Sequence, residues 1–163
     1  GADVYKRKDI DIKLVFAGKD FTDGGMEVLA RKKEVIKDIF FLGFCDNNKV
    51  HHIMNTTDIF ILPSLREGLP TVVIEAMSYG LPVIATDVGG TSELLINGET
   101  GFLIKPFDVD SLIKKLSIFI ENELLRITMG NSGRKLVETK FSLKKMTLSI
   151  EKKYIELYQS KDS

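Results

Sequence analysis

Glu67 and Glu75 stand eight positions apart, across a stretch that reads as a loop opening directly into a helix. The stretch is Ser64-Leu65-Arg66-Glu67-Gly68-Leu69-Pro70-Thr71-Val72-Val73-Ile74-Glu75-Ala76-Met77, and a mostly apolar strand closing at Pro63 feeds it. A strand, a Gly/Pro turn and a helix N-terminus in that order suit an anion. The first backbone N–H groups of a helix have no partner inside it, and the helix dipole favours negative charge. Pro70 at the first helical position would give up only an N–H that the helix does not use. The N–H groups of Thr71 and Val72 are then free to hold a phosphate.

Glu75 lies about 7–8 Å along the helix from Pro70, at ~1.5 Å of rise per residue. Side chains tilt toward the helix N-terminus, and Thr71, four residues earlier, shares its face. Glu75 is therefore expected to point back toward the anion. Its apolar neighbours suggest a helix buried on most sides, where a carboxylate needs hydrogen-bond donors such as a pair of ribose hydroxyls. Glu67, ahead of the helix, is placed on the far side of the anion, where a sugar fits. Read alone, Glu75 is an ordinary solvated or ion-paired helix residue, and Glu67 a residue that caps the helix start or favours its dipole.

The elements that must position these groups alternate along the chain. Strands are expected at 12–17, 39–42, 58–62, 82–86 and 101–104. Helices are expected at 26–37, 48–56 with Asp46 or Asn47 as cap, 70–79 closed by Gly80, and from Gly90 to about Ile96. After Asp108 the chain reads as helical: one segment capped by Asp108 or Asp110 and running through Glu121, a second over 122–140, and a long last one from Ser142. In that last helix Leu143, Met146, Ile150, Tyr154, Leu157 and Tyr158 fall on one stripe. Strands separated by helices imply crossovers and a parallel sheet, so the fold expected is a doubly wound α/β domain of about five strands with a helical C-terminal tail. Ligands of such sheets bind beyond the carboxyl ends of the strands, where the loops 43–47, 64–69 and 87–90 would gather.

With 163 residues, the chain fits one domain on the usual scale of roughly 100–200 residues. The 23 acidic and 23 basic residues balance, so no global field recruits nucleic acid or an anionic membrane. The single cysteine, Cys45, cannot form an internal disulfide and fits a reducing compartment such as the cytoplasm. No Gly-x-Gly-x-x-Gly follows a strand, no Gly-Lys-Ser/Thr closes a phosphate loop, and no Cys/His spacing suggests zinc. His51-His52 read as solvated or core residues rather than ligands, the Lys-Lys pairs, Lys114-Lys115 among them, as solvated, and Phe44 and Cys45 as packing residues unless a base lies against them.

Taken in order, these segments resemble the C-terminal, donor-binding domain of GT-B glycosyltransferases, in particular glycosyltransferase family 4. The resemblance runs through Leu14-Val15-Phe16-Ala17-Gly18, Phe41-Leu42-Gly43-Phe44, Thr57-Asp58-Ile59-Phe60-Ile61-Leu62-Pro63-Ser64 and the two-Glu motif. It continues through Gly80-Leu81-Pro82-Val83-Ile84-Ala85-Thr86, Val88-Gly89-Gly90-Thr91-Ser92-Glu93 and Asn97-Gly98-Glu99-Thr100-Gly101-Phe102-Leu103.

The resemblance implies a Rossmann-like fold and a retaining transferase of carbohydrate biosynthesis that needs no cofactor or metal and takes a nucleotide-diphosphate sugar as donor. It implies that Glu75 holds the ribose, that Glu67 lies beside the transferred sugar as the catalytic carboxylate, and that N–H groups of Gly68, Leu69, Thr71 and Val72 meet sugar and diphosphate. Phe44, in the Gly43-Phe44-Cys45 turn, would border the base. The acceptor, a saccharide, lipid or other molecule, would bind a missing N-terminal domain, which could also bring peripheral association with the inner membrane face. The family's first strand–helix unit, which supplies an Arg and a Lys to the diphosphate, is also missing, and Lys6-Arg7-Lys8 do not take that role. The chain thus resembles a fragment beginning inside a helix and inactive alone. Its alternatives are a standalone nucleotide-binding module serving a separate acceptor subunit, and a nucleotide-sugar epimerase-like domain.

Overall fold

A computed structural model describes residues 11–20 and 22–159. Lys6-Arg7-Lys8 lie outside the described residues. By contact the chain divides into two compact units, 1–56 and 57–163.

The first unit holds β1 (Leu14–Phe16), α1 (Gly25–Lys32), a 3-10 turn (Ile36–Asp38), β2 (Ile39–Phe41) and α2 (Asn47–Thr56). Strands β1 and β2 pair in parallel, Val15 opposite Phe40, and the rings of Phe16 and Phe41 stack with centroids 5.2 Å apart. Helix α1 is shorter than the apolar spacing predicts. Glu34 takes a left-handed φ of 58°, which no continuing helix can accommodate, and Val35 and Ile36 fall in the connector beyond it. Asp46 is the cap of α2, its Oδ1 accepting from the N–H of Lys49 at 2.8 Å.

The second unit holds β3 (Phe60–Leu62), α3 (Thr71–Ser78), β4 (Val83–Thr86), α4 (Thr91–Leu94) and β5 (Gly101–Ile104). Three longer helices follow: α5 (Val109–Glu121), α6 (Glu123–Lys140) and α7 (Leu143–Gln159). Its sheet has the order β3-β4-β5 and is parallel throughout. The five expected strands are all present, as a parallel pair in the first unit and a parallel trio in the second. Apolar alternation marks a strand without saying which edges pair.

Every residue of β4 is buried, with Val83, Ile84 and Ala85 fully so; alternate residues face opposite sides, so both faces of the strand are covered. One side carries the core of Ile84, Phe102, Ile104, Phe119 and Met129, onto which Leu112, Leu116 and Leu125 pack. Strand β3, though mostly apolar, is only half-buried along its length, at the edge of its sheet. Lys115 departs from its solvated expectation too. It is half-buried, with Nζ 4.3 Å from the centroid of the Phe102 ring.

Capping explains the helical boundaries. Of the two candidates it is Asp108 that caps α5, accepting from the Ser111 N–H at 2.9 Å and the Ser111 hydroxyl at 2.7 Å. Those bonds, the hydroxyl's first, hold its carboxyl below the usual range. Asn122 caps α6 through the N–H of Leu125 at 2.9 Å. Helix α3 closes on Gly80 at φ 73°, with Gly80 N–H bonded to Met77 O and Leu81 N–H to Ala76 O. In α7 the side chains of Ile150, Tyr154, Leu157 and Tyr158 are exposed.

Candidate functional site

In the second unit the chain leaves β3 at Leu62, crosses eight residues (63–70) and enters α3. Pro70 is the residue before the helix, not its first turn: its ψ of 92° is extended, and Thr71 is the first helical position. The shift leaves the donors as expected. Val73 N–H bonds back to Pro70 O at 3.0 Å, tightening the first turn. The N–H groups of Gly68, Leu69, Thr71 and Val72 make no hydrogen bond among the described residues.

Helix α3 buries Val73, Ala76 and Met77 and exposes Thr71, Glu75 and Ser78. Those two sets lie on opposite stripes of a 3.6-residue period. Glu75 is therefore exposed, contrary to the buried setting expected for it. Val72 and Ile74, apolar but only half-buried, disguise the helix's open side in the sequence. The Glu75 carboxylate has no hydrogen bond or ion pair among the described residues, and Thr71 shares its side of the helix. Glu67 is half-buried, and its carboxylate likewise has no partner among them.

The two expected loops of the second unit come together. Gly90 N–H donates to Gly68 O at 2.6 Å, tying the 87–90 turn to the loop ahead of α3. Gly89, at φ 55°, lies so close that a Cβ there would collide with the Glu67 carbonyl. Thr86, at the carboxyl end of β4, was not singled out by the sequence. Its hydroxyl bonds the carbonyls of Ser64 and, at 3.3 Å, Leu62, fastening the start of the same loop. A β-branched residue at a strand end reads only as a strand former, so nothing in the sequence signals this role.

The first unit has its own cavity, of about 250 Å³, beyond the carboxyl ends of β1 and β2 and lined by Phe16, Gly18, Asp20, Met26, Glu27, Phe41 and Gly43. Asp20 shapes its rim. The carboxylate accepts from the Thr22 hydroxyl, Thr22 N–H and Gly24 N–H at 2.6–2.9 Å, and these bonds, the hydroxyl's first, hold its carboxyl below the usual range. The 18–25 loop was not among those the sequence gathered, although Asp-x-Thr is a turn signal. Phe44, beside this cavity's Gly43, is 86% exposed rather than packed, which leaves a ring face open. Cys45 is half-buried, its thiol 3.5 Å from Gly43 O. His51 and His52 are exposed, which selects the solvated reading over the core one. Among the described residues no group of three or more His, Cys, Asp or Glu could hold a metal ion, and no helix is long and apolar enough to cross a membrane.

The family model described as glycosyl transferases group 1 matches residues 2–136. The chain belongs to that family. It is 40% identical over 100 residues, 61% of its length and 26% of the relative's, to the capsular polysaccharide biosynthesis glycosyltransferase CapM of Staphylococcus aureus. It is 35% identical over 125 residues, 77% of its length and 32% of the relative's, to UDP-Gal:alpha-D-GlcNAc-diphosphoundecaprenol alpha-1,3-galactosyltransferase of Escherichia coli. Among solved structures, sucrose-phosphate synthase from Thermosynechococcus elongatus matches with a TM-score of 0.79 at 28% identity, over 91% of this chain and 39% of that one. The chain thus spans between about a quarter and two-fifths of these three proteins. Its parallel α/β architecture is the one that the matching part of that solved structure shares.

Proposed function

We propose that this chain is the donor-binding domain of a retaining glycosyltransferase that moves a sugar from a nucleotide-diphosphate sugar to a saccharide or lipid-linked acceptor. The observation that carries the reading is the start of α3, where four backbone N–H groups and two carboxylates without a hydrogen-bond partner among the described residues lie within one sequence window. In this reading the N–H groups of Thr71 and Val72 hold the diphosphate and those of Gly68 and Leu69 meet its sugar-side oxygens. Glu75, on the same face as Thr71, accepts hydrogen bonds from the ribose hydroxyls. Glu67 accepts from hydroxyls of the sugar. The exposed Phe44 supplies a ring for the nucleobase.

The chemistry asked of these groups is electrostatic. As the bond between the anomeric carbon and the phosphate oxygen breaks, charge accumulates on the departing diphosphate. Oriented N–H donors at a helix start stabilise that charge without reorganising. Acceptor binding belongs to a second domain of a longer enzyme, so the chain alone transfers no sugar. The UDP-Gal and diphosphoundecaprenol in the name of the Escherichia coli relative support a nucleotide-sugar donor and a lipid-linked acceptor.

Glu75→Gln is the direct test of the ribose contact. Calorimetric titration of the full-length protein with UDP, GDP and ADP is expected to find one preferred nucleotide. The variant is expected to bind it about tenfold more weakly, or ~1.4 kcal/mol, the scale of a hydrogen bond to a charged group. An unchanged affinity would remove Glu75 from the ribose.

A further inference from the structure

We infer that Thr86 and Gly90 are positioning residues that set where the Glu67 carboxylate stands, although neither belongs to the loop that carries it. The inference rests on the proposed contact of Glu67 with the donor sugar.

The parallel ladder between β3 and β4 ends at Leu62 opposite Ala85. One residue further, the side chain of Thr86 takes over from the backbone. It is 4% exposed, and its single proton is shared between the carbonyls of Leu62 and Ser64. The Ser64 carbonyl, past the strand end, is thereby fastened to the central strand of the sheet. Four residues on, the second tether appears: Gly90 N–H on Gly68 O at 2.6 Å. Between the two tethers lie Leu65, Arg66 and Glu67, for which no backbone hydrogen bond is formed among the described residues. Glu67 thus rides on a short bridge whose two ends are fixed from β4 and the turn after it.

The turn is itself rigid. Thr91, fully buried, donates its hydroxyl to Val88 O at 2.7 Å and its N–H to the same carbonyl at 3.2 Å. Gly89 fits beneath the bridge only because it lacks a Cβ, which would collide with Glu67 O and lie 2.8 Å from Gly68 O. At Gly90 an added Cβ would stand 2.8 Å from Leu69 Cδ1 and 3.0 Å from Gly68 O. Gly90 has φ −83°, which any residue accepts, so alanine there pushes on the bridge without straining its own backbone.

The test uses three variants of the full-length protein. Thr86→Val keeps the shape and loses the hydroxyl, Thr86→Ser keeps the hydroxyl, and Gly90→Ala displaces Gly68 while leaving Thr86 intact. Readouts are the amide resonances of 64–69 without ligand, and turnover of whichever of UDP-galactose, UDP-glucose, GDP-mannose and ADP-glucose the wild-type protein consumes. Thr86→Val and Gly90→Ala are each expected to shift those amides and lower kcat at least tenfold, while Thr86→Ser stays within twofold of wild type. A general loss of packing would not be rescued by serine. Loop amides that stay in place in both variants would overturn the inference, as would displaced amides with unchanged kcat while Glu67→Gln is inactive. Unchanged kcat in Glu67→Gln itself would locate the failure in the donor-sugar reading and take the inference with it.

Discussion

Replacing Glu67 by glutamine is expected to cut sugar transfer by the full-length enzyme about 100-fold in kcat while leaving nucleoside diphosphate affinity within twofold. The size follows from the contact proposed. A carboxylate accepting from sugar hydroxyls is a charged hydrogen bond, worth about 1.5–3 kcal/mol, and a 100-fold rate change is about 2.7 kcal/mol. The amide keeps the shape and half of the acceptors but loses the charge. Because Glu67 precedes the helix and Glu75 sits within it, the two variants should fail differently. Glu75→Gln weakens the nucleotide with or without a sugar attached; Glu67→Gln is silent until the sugar is present. Steady-state kinetics beside a UDP, GDP or ADP titration separates them, and equal effects on both measurements would merge the two roles that the account keeps apart.

The largest stability effect is expected at a glycine remote from the carboxylates. Gly130 lies mid-way along α6, where alanine would ordinarily stabilise a helix by up to about 1 kcal/mol. Here the added Cβ would collide with the Gly80 carbonyl. That carbonyl cannot step aside cheaply. Gly80 occupies the left-handed position that closes α3, and its N–H and that of Leu81 complete the closure on Met77 and Ala76. Overpacking of a backbone contact costs about 1–3 kcal/mol, so Gly130→Ala should come out net destabilising by about 2 kcal/mol. Gly133 is the internal control, one turn further along the same face. Its Cβ would meet Met77 Cγ at 3.4 Å and Thr100 O at 3.5 Å, ordinary contact distances. Thermal unfolding should show Gly130→Ala several degrees below wild type and Gly133→Ala close to it. Equal melting temperatures would mean that α6 does not press on the end of α3 as the geometry requires.

What the sequence disclosed and what it hid have physical causes. Number, order and direction of the strands were legible because each apolar run is followed by a helical stretch, three of them closing directly on Gly18, Gly43 and Pro63. Strand pairing was not, since edges are chosen by tertiary contacts. The helix start with its unpaired N–H groups was legible from the strand–turn–helix order, whereas the two carboxylates, ordinary residues when read alone, took their proposed roles from the family resemblance. The exposure of Glu75 was not: α3 is apolar nearly all round, so periodicity could not tell its buried stripe of Val73, Ala76 and Met77 from its open side. Pro70 was placed one residue too far in, because proline serves equally before a helix and in its first turn. Phe44 read as packing by composition and stands in solvent. Thr86 and the fit of Gly89 under Glu67 could not have been read at all, because both are contacts between segments more than twenty residues apart.

Amide hydrogen exchange of the full-length protein, with and without UDP, GDP or ADP, tests the central claim most directly. Unpaired N–H groups at the start of α3 exchange fast when free and slowly when they hold a phosphate. The account predicts that the preferred nucleotide protects the amides of Gly68, Leu69, Thr71 and Val72. A nucleotide that binds and leaves these amides exchanging at their free rate would contradict it.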